Sequence, residues 1–279
     1  MKLSIITINY NNLPGLHKTV ESVLSQTNQE FEYIIIDGGS TDGSKELIEQ
    51  SAAEDERIAY WISEPDKGIY HAMNKGIKAA QGEYVQFINS GDRLAAFDVV
   101  EKMHIQLTNS NLPPILYGNI LKQMPKGLWR DRCFAGKDIP FLGMFTGTLN
   151  HSSTWIRSDL FDKYGLYDED LKIVSDWKWY MQAIILGDEK PLYADIDVTI
   201  FDMQGISYTN TPLIKAERKQ VLNEMFPQAI ITDYEKWAFP ISQMKRLMRY
   251  KWIYKFVWFI ERCLFKYEKW FRNKEQVYK

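Results

Sequence analysis

Short apolar runs alternate with helix-like stretches in the N-terminal third of the chain. Between two β-branched runs, Leu16, Val20 and Val23 recur at the spacing of one helix face. The pattern predicts strands at 3–8, 31–37, 58–62 and 84–88, and helices at 16–24, from 44 and over 69–80. This alternation predicts an α/β fold with a parallel sheet, whose ligands bind beyond the carboxyl ends of the strands.

The alternation weakens beyond about residue 112, where prolines and glycines interrupt the chain. We expect a loop-rich region with short strands there, which would shape a substrate site. Helices at 157–164 and 177–186 and a strand at 194–201 are predicted to follow. Thr211 and Pro212 suggest a boundary, so that 1–211 form one domain and 212–279 a helical extension.

Composition excludes several classes of protein. The 279 residues are 45% apolar and 25% charged, which is ordinary for a globular protein large enough to bury a core. Two cysteines and four scattered histidines argue against a disulfide scaffold and a zinc cluster, and favour a reducing, cytoplasmic setting. No apolar run approaches the ~20 residues that cross a bilayer, and we expect neither a spanning helix nor a signal peptide.

The charge is distributed unevenly. Residues 244–279 carry a net charge of +8, whereas residues 1–243 carry −10. On a helical wheel the basic side chains of this tail form one sector and its apolar side chains another: Lys251, Lys255, Arg262, Lys266 and Lys269 against Ile253, Val257, Ile260, Leu264 and Phe271. An amphipathic basic helix with tryptophans predicts peripheral binding of residues 245–272 to an anionic membrane surface.

Two alternatives to membrane binding apply to the tail. Its apolar stripe could instead pack on the catalytic body or on a second copy of the chain, with the lysines in solvent. Nucleic acid also binds basic and aromatic groups, but nothing in the body of the sequence supports it, so we expect no nucleic-acid partner.

The segments that follow the strands are polar. Asn9-Tyr10-Asn11-Asn12 follows the first strand in place of a GxGxxG loop, which disfavours a nicotinamide or flavin enzyme. The glycine-rich segment after Asp37 lacks the Gly-Lys-Ser/Thr order of a Walker A loop. Asp37 itself ends a strand, where a carboxylate can accept hydrogen bonds from a base or a ribose.

The fourth predicted strand ends in Asn89-Ser90-Gly91-Asp92. A carboxylate at this edge could hold Mg²⁺ or Mn²⁺, which prefer oxygen ligands and bridge proteins to diphosphates. The same four residues also suit a β-turn.

Five segments in order resemble a known family: SIITINYNN, SVLSQT, EYIIIDGGSTDGS, EPDKGIYHAMNKGI and GEYVQFINSGD. Together they are similar to the nucleotide-binding half of family 2 glycosyltransferases with the GT-A fold, a Rossmann-like fold that binds nucleotide-diphospho-sugars. The most similar members are those of bacterial surface-polysaccharide synthesis (O-antigen, capsule or colanic-acid type). The resemblance divides the catalytic domain into a nucleotide-binding half, 1–95, and an acceptor half, 96–211.

The resemblance also implies roles for single residues in donor binding. The implied donor nucleotide-binding residues are Thr7, Tyr10, Asp37, Asp66, Lys67 and Asn74. Tyr10 would offer a ring face to the base, although it could also be a core residue, and Asp66 could instead cap a helix. Asp92 matches the last carboxylate of the metal-binding DxD motif, which implies Mn²⁺ or Mg²⁺. Asn89 replaces the first carboxylate of that motif.

Asp176 matches the family's general base, a carboxylate near the start of a late helix. An acceptor hydroxyl is a poor nucleophile until such a group takes its proton. The family usually has Glu-Asp here, whereas this chain has Ser175 before Asp176, and Asp176 could simply cap the helix. His151, Gly205 and Ser207 match family positions that could contact substrate or phosphate.

The predicted function is therefore that of an inverting glycosyltransferase at the inner face of the cell membrane. It would move a sugar from a nucleotide-diphosphate donor, UDP-linked by expectation, to a saccharide or lipid-linked saccharide. A glycoside hydrolase also uses two acids but has no need of the nucleotide-pocket segments. A non-catalytic nucleotide-sugar-binding scaffold stays open, because Asn89 and Ser175 replace acids of the family.

Overall fold

The computed structural model describes residues 2–203, 205 and 209–277, and the side chains of all of these residues except 242 and 270–277. Contacts between residues divide the chain into two compact units, Met1–Glu224 and Met225–Lys279. The first unit contains a nine-stranded sheet in which neighbouring strands are, in order, Ile58–Ser63, Phe31–Asp37, Leu3–Asn9, Tyr84–Phe87, Thr154–Arg157, Ile115–Met124, Leu192–Phe201 and Arg93–Leu94, and the ninth strand, Gly127–Asp131, pairs with Ile115–Met124.

The predicted parallel arrangement of the N-terminal strands is confirmed. Their bounds are β1 Leu3–Asn9, β2 Phe31–Asp37, β3 Ile58–Ser63 and β4 Tyr84–Phe87, and the helices between them are α1 Leu13–Leu24, α2 Ser44–Glu54 and α3 Ile69–Ala79. Strand β1 lies between β2 and β4, and β3 pairs with the outer side of β2, all in parallel. The register aligns Asn9, Asp37 and Ser63, so three strand ends lie side by side.

Local signals in the sequence account for these elements. Helix α1 begins after Asn12, whose side chain accepts a hydrogen bond from Gly15 N (3.2 Å), and Pro14 occupies its first turn. Strand β2 is buried at every position, as expected for a parallel strand with helices on both faces.

The second half of the first unit is more regular than its sequence suggests. Its strands are β5 Arg93–Leu94, β6 Ile115–Met124, β7 Gly127–Asp131, β8 Thr154–Arg157 and β9 Leu192–Phe201; its helices are α4 Val99–Asn109, α5 Phe141–Thr146, α6 Asp159–Tyr164, α7 Ser175–Tyr180 and α8 Thr211–Met225. Strand β8 runs antiparallel to β4 and β6, whereas β6 and β9 are parallel to each other.

The bounds of three predicted elements in this half differ from those in the structure. The expected loop region contains the ten-residue strand β6, in which Gly118 is required because a Cβ atom there would lie 2.5 Å from Val198 Cγ2. The helix predicted at about 157–164 is confirmed as α6, but it begins two residues later, at Asp159, because Arg157 ends strand β8. The predicted helix at 177–186 begins two residues earlier as α7 and continues as a π-helical turn, Met181–Leu186.

The second unit is helical, as predicted for the C-terminal extension. Helix α9 spans Gln228–Leu247, with Pro240 inside it, and α10 spans Lys251–Val277. Trp252, Phe259 and Phe265 of α10 are more than 60% exposed. Among the residues that the structure describes, no helix combines the length and the apolar character needed to cross a membrane.

Helix α3 packs directly on the first strand. A Cβ atom on Gly76 would lie 2.4 Å from Cγ2 of Ile6, a fully buried β-branched side chain. The glycine therefore permits close approach of helix and sheet, and this approach positions the loop that precedes α3.

We predict that Gly76→Ala lowers the free energy of unfolding by about 1–2 kcal/mol, because overpacking against Ile6, which typically costs about 1–3 kcal/mol, outweighs the ~1 kcal/mol that alanine gains in helix propensity. Urea denaturation measures the change. Lys78→Ala, at an exposed position of the same helix, should change stability by less than ~0.5 kcal/mol. Equal or greater stability of Gly76→Ala would contradict this packing argument.

Candidate functional site

A cleft of about 740 Å³ lies at the carboxyl edge of the parallel strands. It is lined by the segments that follow β1, β3, β4 and β9, together with side chains of the second half. The predicted residues that line it are Tyr10, Asp66, Lys67, Asp92, His151, Asp176 and Gly205. The cleft therefore brings together most of the residues singled out from the sequence. Ser207 lies outside the described residues.

Asp37 is fully buried beneath the cleft and does not line it. Its carboxylate accepts hydrogen bonds from Asn9 Nδ2 (2.7 Å), Ser40 N (2.9 Å), Ser40 Oγ (2.6 Å) and Ser63 Oγ (2.6 Å). Burial alone would raise its pKa, but the hydrogen bonds from Ser40, Ser63 and Asn9 hold the pKa below its usual value. The carboxylate is therefore ionised, and a nucleobase could reach it only by displacing one of these donors.

Thr7 and Asn74 are also buried and connect parts of the fold. Thr7 Oγ1 lies 2.8 Å from the Tyr33 hydroxyl and donates to Ile88 O (2.6 Å), which ties β1 to its two neighbouring strands. Asn74 Nδ2 donates to Tyr167 O (2.8 Å), and its oxygen accepts from Tyr167 N (3.0 Å). The structure places neither side chain in the cleft.

The segment between β3 and α3 presents polar groups to the cleft. Asp66 Oδ1 lies 2.9 Å from His71 Nδ1 and 2.7 Å from Lys75 Nζ, whereas Asp66 Oδ2 is buried without a partner. Lys67 lies next to it, and Tyr10, 68% exposed, lies across the cleft mouth. These groups could bind the polar parts of a ligand, and the Tyr10 ring could stack on a base.

Asp92 is buried at the end of the turn after β4. Its Oδ1 accepts a hydrogen bond from Asp202 N (2.7 Å), and burial raises its pKa to about 7. Asn89 Nδ2 lies 3.1 Å from His151 Nε2, and Asn89 Oδ1 is buried without a partner. Within the described part of the chain, no group of three or more His, Cys, Asp or Glu side chains could hold a metal ion.

Asp176 lies in the first turn of α7 and faces the cleft. Its Oδ1 accepts from Trp177 N (2.9 Å) and lies 2.9 Å from the Tyr70 hydroxyl, and its Oδ2 lies 3.3 Å from His151 Nδ1. The helix-cap contact and the position in the cleft therefore coexist. Burial would lower the pKa of His151, but Asp176, with a smaller contribution from Asp92, raises it.

Sequence reasoning missed two residues that hold the Asp176 segment. Tyr70 is buried on α3, and its hydroxyl donates to Ile173 O (2.5 Å) beside Asp176. Burial raises the pKa of Tyr70 well above its usual value, so the hydroxyl stays protonated. Glu217 of α8 accepts hydrogen bonds from backbone N–H groups of residues 172–174. One signal in the sequence could have indicated that Glu217 is buried: it lies one helical turn before the apolar Val221, which is also buried.

The cleft contains a carboxylate, Asp176, in a position suited to general base chemistry. A partly exposed carboxylate, Asp176, is oriented by a phenol and an imidazole, and it can take a proton from a hydroxyl group in the cleft. The same imidazole reaches Asn89 with its other nitrogen, so the turn carrying Asp92 lies one side chain away.

Comparison with known proteins identifies the family and the fold of the chain. The sequence model described as "Glycosyl transferase family 2" matches residues 4–106. An uncharacterised glycosyltransferase of Mycobacterium tuberculosis is 34% identical over 215 residues, which are 75% of this chain and 78% of that protein. TuaG of Bacillus subtilis, named for teichuronic acid biosynthesis, is 41% identical over 91 residues, 33% of this chain and 36% of TuaG.

Solved structures show the same fold at low sequence identity. Staphylococcus aureus TarS 1–349 in complex with UDP-GlcNAc matches with a TM-score of 0.63 and 17% identity, over 82% of this chain and 69% of that one. The chain spans only 41% of a longer TarS chain. Pyrobaculum calidifontis PcManGT in complex with GDP-Man and Mn²⁺ matches with a TM-score of 0.61 and 16% identity, over 80% and 63% of the chains. With a relative more than 30% identical over most of both chains, this chain belongs to glycosyl transferase family 2 and has the GT-A fold.

Proposed function

We propose that the protein is an inverting glycosyltransferase that moves one sugar from a UDP-linked donor to a saccharide or lipid-linked saccharide acceptor in cell-surface polysaccharide synthesis. The observation that carries the proposal is the position of Asp176 in the cleft, oriented by Tyr70 and His151. The teichuronic acid role in the name of TuaG and the UDP-GlcNAc bound to TarS support the acceptor and donor classes.

The two halves of the catalytic domain, 1–95 and 96–211, would divide the work. Tyr10, Asp66 and Lys67 would bind the nucleotide-sugar from the first half. Asp37, Thr7 and Asn74 would act from beneath, because their hydrogen bonds fix the strands and loops that present those side chains. Gly205 would line the second half of the cleft, two residues before Ser207 in the sequence.

The residues around Asp92 fit a hard divalent cation. Asn89 Oδ1 is a buried oxygen without a protein partner, and Asp92 supplies a carboxylate at the same turn. These oxygens suit Mn²⁺ or Mg²⁺, with diphosphate oxygens and water as further ligands. Such an ion, when bound, would offset the charge on the departing diphosphate.

Asp176 would act as the general base. It accepts the proton of the acceptor hydroxyl while that oxygen bonds to the anomeric carbon. The bond from the anomeric carbon to the diphosphate oxygen breaks on the opposite face, which inverts the configuration. Tyr70 and His151 keep the carboxylate pointed at the cleft during this step.

A second candidate is a non-catalytic nucleotide-sugar-binding scaffold. It is favoured by Asn89 and Ser175, which stand where the family usually has acids, and by the buried Ser175 hydroxyl without a partner. Turnover of a donor distinguishes the two functions.

The tail would dock the enzyme on the inner leaflet of the cell membrane, where lipid-linked acceptors lie. Helix α10 exposes Trp252, Phe256 and Trp258, and the Arg262 guanidinium lies 4.5 Å from the centre of the Trp258 ring. Aromatic side chains next to basic ones suit the headgroup region of an anionic membrane.

We predict that Asp176→Asn retains UDP affinity within about two-fold and lowers donor turnover by roughly 10²- to 10⁴-fold, because the amide cannot take a proton. UDP release from UDP-glucose, UDP-galactose and UDP-N-acetylglucosamine measures turnover, and calorimetry measures affinity. Asp170→Asn, at an exposed position before α7, is the matched control. Full activity of Asp176→Asn would exclude it as the base.

Mn²⁺ should strengthen the thermal stabilisation of the protein by UDP, because the ion and the nucleotide bind the native state together. Asp92→Ala should remove most of the additional thermal stabilisation that Mn²⁺ gives in the presence of UDP. Asp98→Asn, at a position outside the cleft lining, should keep that additional stabilisation. Equal Mn²⁺ dependence in the wild type and Asp92→Ala would exclude Asp92 as a ligand.

Deletion of residues 244–279 should release the protein from vesicles of phosphatidylglycerol at moderate salt, because it removes the basic and aromatic side chains of the tail. Co-sedimentation measures binding, and phosphatidylcholine vesicles, to which the full chain should bind weakly, are the control. An unchanged bound fraction after deletion would count against docking through the tail.

A further inference from the structure

Two adjacent residues of α8 contact the residues on both sides of Asp176: Glu217 binds the backbone before it, and Arg218 contacts the side chain of Trp177 after it. Glu217 is buried, and its Oε1 accepts from Lys172 N (2.8 Å), while its Oε2 accepts from Ile173 N (2.9 Å) and Val174 N (3.2 Å). Three successive N–H groups therefore converge on one carboxylate immediately before α7. A carboxylate suits this position better than an amide, because both of its oxygens accept hydrogen bonds.

Arg218 holds the other side. Its guanidinium lies 4.7 Å from the centre of the Trp177 ring, the residue that follows Asp176, and its Nη2 donates to Gly147 O (3.2 Å). Burial lowers the pKa of Arg218, and the charge of Asp176 opposes that shift. The two charged side chains of α8 thus flank the proposed base along the chain.

The peptide groups around Ile173 are fixed from two directions. Glu217 accepts from the N–H of Ile173, and the Tyr70 hydroxyl donates to its carbonyl oxygen while lying 2.9 Å from Asp176 Oδ1. Loss of the Glu217 contacts would free the backbone from which Asp176 projects. A general base works only within hydrogen-bond reach of its proton, and a misplacement of about 1 Å can cost about 10²-fold in rate.

In the sequence, helix α8 comes shortly after a segment that lines the cleft. Phe201 and Gly205 line the cleft, and α8 begins at Thr211. The helix that binds the Asp176 segment therefore follows, along the chain, the segment that lines the cleft.

We propose that Glu217 is a positioning residue for the general base, which sets the reach of Asp176 by clamping the three peptide N–H groups before it. The inference rests on the proposed function, in which Asp176 is the base. Glu217 touches neither the cleft nor Asp176, so its effect should fall on the chemical step and leave nucleotide binding intact.

The test compares Glu217→Gln with Glu224→Gln. Glu224 lies on the same helix and is exposed. Its carboxylate accepts hydrogen bonds from Gln220 Nε2 (2.9 Å) and Lys178 Nζ (3.4 Å). In Glu217→Gln, an amide nitrogen replaces one of the two accepting oxygens. We expect kcat for UDP release from the three UDP-sugars above to fall roughly 10- to 100-fold, with the Kd for UDP and Mn²⁺ unchanged within about two-fold. Glu224→Gln should match the wild type in both measurements.

The outcomes separate the inference from the function on which it rests. If the wild type releases no UDP, or Asp176→Asn is fully active, the proposed function fails first. If both behave as proposed but Glu217→Gln keeps the wild-type kcat, the inference is overturned and the function stands. A parallel loss of UDP affinity and kcat in Glu217→Gln would indicate general damage and would also overturn it.

Thermal melting checks that the variants are folded. If Glu217→Gln does not fold, Glu217→Asp replaces it, because it keeps the charge and shortens the side chain by one methylene. The expected result is again a fall in kcat at constant UDP affinity, and wild-type turnover in Glu217→Asp would overturn the inference.

Discussion

Carboxylates buried at the edge of the sheet need fixed hydrogen-bond donors, and the architecture of the site follows from this requirement. A buried charge without partners costs several kcal/mol or loses its ionisation. Asp37 obtains its donors from Asn9, Ser40 and Ser63, and Glu217 obtains them from three peptide groups. The donors of Asp37 belong to different strand ends and loops, so satisfying its charge also fixes those segments relative to one another, whereas the donors of Glu217 fix one loop against helix α8.

The same requirement joins the two halves of the catalytic unit. Tyr70 and Asn74 lie on α3 in the first half, and their partners, Ile173 and Tyr167, lie in the second. The Asp176 segment is thus held by α3 on one side and by α8 on the other. Asp176 is held in this way only when both halves have folded, and the burial of Tyr70 and Asn74 on α3 follows from these contacts with the second half.

The elements that the sequence predicted well are those with one dominant pattern. Strand β2, which contains the apolar run Tyr33–Ile36, was predicted at its observed bounds, and α3 to within one residue. The length of strand β6 was not predicted, because prolines and glycines dominate the pattern beyond residue 112; Gly118 within the strand permits close approach to Val198. Among the cleft residues, Asp92 could be predicted from its place after a strand, whereas Asp66, Lys67, His151, Asp176 and Gly205 followed from the resemblance to the family. Glu217 could not, because its partners are backbone N–H groups distant in sequence, and no residue pattern encodes them.

The replacement of a motif acid by Asn89 has a physical consequence for the charges of the site. A second carboxylate at this position would add negative charge beside Asp92, whose pKa is already raised to about 7 by burial. Asn89 also donates through its amide to His151 Nε2, which leaves Nδ1–H to face Asp176. An ionised aspartate cannot donate, so it would require a doubly protonated His151. The amide thus directs Nδ1–H of His151 toward Asp176 and still offers one oxygen to a cation.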